Sequence, residues 1–330
     1  MKRLDDMRGF ACLMVVAFHA VGSEPTLRGS LVGSAIQLLG YVRMPLFIAI
    51  TGFIYGYRRD AQVLSWEGWT KRTSRLVPPF VLLTLVCSAI DWEAGRSATP
   101  IRSLFYGMWH LWYLQALAVV LIVVYAGERA FHPGRRGLWL AALVAAAISA
   151  GGLFGTVQIL SIDRSFYLLP HFLFGVVLGY HGREGLAWPM RLAIYVAGVV
   201  ALAFAAAGIQ SGTPWAGSSL IGVAIGWATV LSLSRHMPSY GLLTGIGRFS
   251  LPIFLWHLPL AAVLSAVLLH RVHLAVYVAV LLRVVVGIVT PMVAVLLAER
   301  YAPGAIIFIG RRSPVDRSPV DGARAEATPA

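Results

Sequence analysis

The chain has 330 residues, 58% of them apolar and 12% charged, with a mean hydropathy of +0.76 and a formal net charge of +13. A charged fraction this far below the roughly 25% of soluble domains excludes an ordinary soluble fold and makes this a polytopic membrane protein. Cys12 and Cys87 both fall in apolar stretches and asparagine is absent, so neither a disulfide framework nor an N-glycosylation sequon is implied.

Ten apolar stretches, about 7–24, 33–56, 75–91, 105–126, 138–154, 166–181, 191–209, 216–233, 248–269 and 275–298, are each long enough to cross a hydrocarbon core of about 30 Å as a helix. The expected fold is an all-α bundle of about ten transmembrane helices with no sheet. Residues 1–311 form the membrane domain, and residues 312–330, with RSPVD in tandem and little apolar surface, form a disordered cytoplasmic tail. With the N-terminus in the cytosol, the outer loops hold only Arg28, Arg96, Arg102, Arg164 and Arg271, while the other basic residues outside the spans lie inside. That asymmetry places a multi-pass protein in the cell membrane with both termini cytoplasmic. It also accounts for the positive charge without a nucleic-acid partner.

In the first span, Lys2 and Arg3 precede an apolar run as in a signal peptide, but Arg8 and His19 interrupt it and further spans follow, so it reads as a retained helix. Eleven helical steps come to three turns plus about 20°, with a rise of about 16 Å, so Arg8 and His19 look out from one face. A positive-inside arginine and a packing histidine would explain the two separately. Read together they make a candidate catalytic pair: Arg8 at the inner mouth, near Asp5 and Asp6, and His19 at a depth where a neutral imidazole can take a proton from a hydroxyl.

The second span, GYVRMPLFIAITGFIYGY, buries Arg43 where no span offers a carboxylate at comparable depth, so its expected partner is a backbone carbonyl, water or substrate. Before the third span, WTKRTSRLVPPF clusters Lys71, Arg72 and Arg75. Topology signalling explains part of this, but Arg72 and Arg75, three apart at a helix start, also suit phosphate oxygens. The fourth span opens with MWHLWYLQ, where His110, Trp112 and Tyr113 are either an interfacial aromatic belt or a platform for a sugar ring. In the ninth, GRFSLPIFLWHLPL, His257 belongs to proline packing or to a pocket wall. Arg283, nearer the end of the tenth, is expected to snorkel or pack.

No internal repeat is evident between residues 1 and 300, and GxSxG and GxxxxGK[ST] are absent, which removes support for serine hydrolases and nucleotidases. The histidines lack metal-ligand spacing, so no metal is expected, nor any tightly bound cofactor.

Four elements in this order, LDDMRGFACLMVVAFHA, MPLFIAITGF, KRTSRLVP, and HLWYL followed by SLPIFLWHLPL, resemble the membrane acyltransferase 3 family over almost the full length to about residue 300. The resemblance implies a ten-helix O-acyltransferase using cytosolic acyl-CoA, most often acetyl-CoA, as co-substrate. The implied acceptor is a hydroxyl of a carbohydrate, glycolipid or related molecule presented outside, as in polysaccharide O-acetylation. It makes Arg8 and His19 the essential pair and matches Arg72 and Arg75 to the basic element opening the third helix. ITGF stands where many members have a serine before Gly-Phe, a departure from the family pattern at a polar contact of the second helix. A periplasmic domain that finishes the transfer, where needed, is expected from a separate partner chain. On this scheme CoA phosphates meet Arg8, Arg72 and Arg75, His19 is general base or acyl carrier, and Arg43 stabilises the oxyanion, while His110, Trp112, Tyr113 and His257 contact substrate. The alternative is a transporter or flippase in which Arg43 and His19 bind an anionic or glycolipid cargo.

Overall fold

A computed structural model describes residues 2–27, 29–57, 76–96, 99–182, 185–213, 216–266 and 274–310. Among them the chain is helical, with no strand. In order the helices are α1 (Lys2–Gly22), α2 (Leu31–Tyr57), α3 (Val77–Glu93), α4 (Pro100–Tyr106), α5 (Trp112–Phe131), α6 (Arg135–Ala150), α7 (Ile162–His181), α8 (Trp188–Gln210), α9 (Leu220–His236), α10 (Gly241–Arg248), α11 (Ser250–Leu264) and α12 (Val276–Tyr301). All but α4 and α10 coincide with the ten apolar stretches.

The two short helices correct the expected boundaries. Before α5 the chain forms α4 and then reverses through Gly107 (φ 58°) and Trp109 (φ 48°), so the predicted fourth span begins at 112 rather than 105. The predicted ninth span breaks at Phe249, where α10 and α11 meet at 77°. Among the described residues four single helices, α2, α5, α8 and α12, are long and apolar enough to cross a membrane, and the bent pair raises this to five. Helices α1 and α7 reach a comparable length with polar residues aboard because protein rather than lipid surrounds much of their surface. By contrast α8 turns Val196, Val199, Val200, Leu202 and Phe204 outward, an apolar belt suited to acyl chains.

The contacts that fix the site are close helix crossings. Gly52 and Gly56 of α2 lie against the backbone of Phe172 and Val176, and Gly175 and Gly179 of α7 lie against Ala49 and Phe53, so a Cβ at any of the four would strike a carbonyl oxygen. These two small-xxx-small pairs interlock where lipid supplies no hydrophobic drive and van der Waals contact must hold helices together. A second crossing joins α1 to α10, with Gly9 against Leu243 and Gly247 against Asp5. Buried Asp6 adds a hydrogen bond from the Thr244 hydroxyl across the same seam.

Candidate active site

Helix α1 brings Arg8 and His19 to one face, and what lies between them turns inward, since Ala11, Cys12 and Val15 are fully buried. Arg8 pairs with Asp5 at 3.4 Å, as its position in the sequence suggests. At the far end of α1, Arg43 of the antiparallel neighbour α2 points an Nη1–H at His19 Nε2 over 3.5 Å. Its guanidinium carbon lies 3.4 Å above the centre of the Phe18 ring. The protein groups that meet this intramembrane cation are thus an imidazole and an aromatic face. Cation–π contact of this kind strengthens when water is removed. Arg43 Nε remains buried without a hydrogen-bond partner.

Two further histidines, far apart in sequence, close on the same point. The His257 ring centre lies 5.2 Å from that of His19, and the His110 centre 5.0 Å from that of His257. Each of the two is locked by backbone. His257 Nδ1–H donates to the Phe254 carbonyl at 2.8 Å, and His110 Nε2–H donates to the Leu255 carbonyl at 2.8 Å. The remaining nitrogens, His257 Nε2 and His110 Nδ1, are buried with no partner. Residues that proline packing or an interfacial belt could have explained thus join His19 and Arg43 in one constellation. Among the described residues no group of three or more His, Cys, Asp or Glu side chains could hold a metal ion.

The aromatic pair next to His110 divides. Tyr113 is buried between Phe47 and Phe254, so its ring offers no face to a sugar. Trp112 is half-buried and covered by the Arg164 guanidinium at 4.7 Å. Arg164 in turn lines a cavity of about 570 Å³ walled by Phe18, Tyr41 and Tyr167 and rimmed by Gln37, Asp163 and Ser218. Phe18 is common to this cavity and to the Arg43 contact, so the cavity ends beside the His19 constellation. At the opposite end of the bundle a second cavity, about 400 Å³, carries Arg3, Arg235 and His236. Lys71, Arg72 and Arg75 lie outside the described residues.

Over residues 1–299 the chain matches a family model described as an acyltransferase domain. It belongs to the membrane acyltransferase 3 family. No curated protein and no solved structure matches it. In this membrane acyltransferase the family match reaches from the first helix almost to the end of α12.

Sequence reading missed several members of the site. Phe18 was passed over as one of many apolar residues in its span. Tyr167 and His171 stand one turn apart on α7 in FYLLPHF, and a histidine next to a proline inside an apolar run was a usable signal. His171 is fully buried with neither ring nitrogen paired, in a niche that Gly226 of α9 leaves open and Pro45 borders. Of the two expectations for Arg283, snorkelling and packing, the structure shows the second. Rather than snorkelling, it ion-pairs with Glu24 and donates from Nε to the Ser265 hydroxyl at 3.0 Å, which ties α12 to the chain just after α1 and to the end of α11.

Proposed function

We propose that this acyltransferase takes an acyl group, acetyl in the simplest case, from cytosolic acyl-CoA and passes it to a hydroxyl of a carbohydrate or glycolipid acceptor on the outer side of the cell membrane. The observation that carries the reading is the half-buried contact of Arg43 with His19, one residue from the wall of the larger cavity. A fixed guanidinium in a water-poor site stabilises the oxyanion formed when a thioester carbonyl is attacked. His19 then serves the acceptor as base or carries the acyl group itself.

The two ends of the bundle fit the two substrates. Acyl-CoA is a polyanion, and the end where α1 begins offers Arg3, Arg235 and His236, with Arg8 further along the same helix. Cytosolic placement of that end rests on the loop asymmetry of the basic residues. At the other end, tyrosine and phenylalanine walls suit sugar ring faces, and Gln37, Asp163 and Ser218 suit hydroxyls. A transporter would use the same mid-depth cations, but membership of an acyltransferase family favours chemistry over transport.

The test replaces His19 and Arg8 separately by Ala, confirms membrane insertion, and measures acyl transfer to cell-surface acceptors alongside acyl-CoA binding by purified protein. Loss of transfer in both variants is expected. Wild-type transfer in either overturns the assignment.

A further inference from the structure

A hydroxyl acceptor gives up a proton when it is acylated, and the constellation is ill-suited to leaving that proton on His19. Arg43 directs an N–H at His19 Nε2 from 3.5 Å, so an imidazolium there would face a like charge and lose the hydrogen bond it accepts. If His19 instead carries the acyl group, its lone pair is already spent. On either route another acceptor is required.

The structure offers one. His257 and His110 are each only 2% exposed, and each uses its N–H on a backbone carbonyl. That fixes the tautomer and leaves Nε2 of His257 and Nδ1 of His110 as bare lone pairs without a partner. Buried polar atoms of this kind are rare in native proteins and call for an explanation. His19 of α1 and Arg43 of α2 stand on one side, Phe254 lies against the His110 ring, and on α12 a Cβ added at Gly287 would come within 3.2 Å of His257 Cβ, so only a glycine leaves room there. Arg283, one turn before Gly287 on α12, is engaged by Glu24.

We propose that the His110–His257 pair is the proton-holding site of the transfer. The acceptor O–H bond breaks and its proton passes to His257 Nε2, directly or by way of His19. The new oxygen–acyl bond forms as the acyl group leaves CoA sulfur or His19. The proton then returns to the departing CoA thiolate, giving free CoA thiol. His110, whose ring centre lies 5.0 Å away, turns a second bare lone pair into the same buried space and so eases the charge on the protonated His257. The proposal rests on the acyl-CoA reading above.

The test separates acceptors that need a base from one that does not. Membrane vesicles from producing cells, which contain the endogenous acceptor, receive radiolabelled acetyl-CoA with or without hydroxylamine, which attacks thioesters as a neutral nucleophile. Counted above vesicles that lack the protein, because free thioesters also react with hydroxylamine unaided, wild-type protein is expected to label both the alkali-labile endogenous acceptor and hydroxylamine, and every comparison below uses this enzyme-dependent part. In His257→Gln, endogenous labelling falls by about 10²–10⁴, the usual worth of a general base, while hydroxylamine labelling stays within about threefold. His110→Gln gives a smaller loss of the same pattern. Equal loss of both products, or retention of both, overturns the proton-holding role. Wild-type vesicles that label neither remove the acyl-CoA reading, and this inference with it.

Discussion

Glu24 and Arg283 form a buried ion pair between the end of the first helix and the middle of the last, so two elements 259 residues apart are clamped beside the His19 end of α1. The pair is shielded, with side-chain exposures of 19% and 8%. Removing one partner of such a pair strands the other in a poorly solvated site, at a cost of about 3–5 kcal/mol. Arg283→Ala should therefore sharply lower resistance to denaturing detergent. The double variant Glu24→Gln, Arg283→Met should recover most of the loss, as read from the unfolding midpoint of purified protein.

The glycine crossing between α2 and α7 should tolerate no added volume. Gly175→Val places methyl groups where the Ala49 carbonyl now sits, and small-to-large changes in tight packing cost about 1–3 kcal/mol or more. The expected outcome is loss of the monodisperse peak in size-exclusion chromatography. Gly127→Val on α5, where a Cβ meets nothing within 4 Å, should leave that peak unchanged.

Arg43 should resist conservative replacement. Lysine keeps the charge but not the planar group that lies over Phe18 while reaching His19. Arg43→Lys is expected to reduce acyl transfer by about tenfold or more, and Arg43→Ala by about 10²–10³, the range for loss of one oxyanion donor. The ratio of transfer rates at saturating acyl-CoA checks this.

The larger cavity should govern acceptor use alone. Tyr167→Ala and Asp163→Asn remove a wall and a rim acceptor that line it and leave the opposite cavity untouched. A raised acceptor KM with unchanged acyl-CoA binding is expected. A fall in acyl-CoA affinity would disconnect the cavity from the acceptor.

The all-helical fold was legible because apolar runs stand out along the chain, although among the described residues only four single helices and one bent pair are long and apolar enough to cross a bilayer. The breaks were not. Nothing in GRFSLPIFLWHLPL marks Phe249 as a 77° corner, because the bend is set by how α10 seats on α1 through Gly9 and Gly247, a tertiary fact. The Arg8 and His19 alignment could be read from helical periodicity alone. The partner of Arg43 could not, since antiparallel packing of α1 on α2 decides which residues meet. His110 and His257 could each be suspected, but only the fold shows that residues 147 positions apart share one pocket.

Because the glycine seam fastens α10 firmly to α1, and His257 rides on α11, the corner at Phe249 sets how far that ring stands from His19. Altering this one elbow would retune the separation of the reacting groups while every one of them stayed in place. Natural drift or deliberate redesign could thus change the speed of this catalyst from a position that touches none of its chemistry.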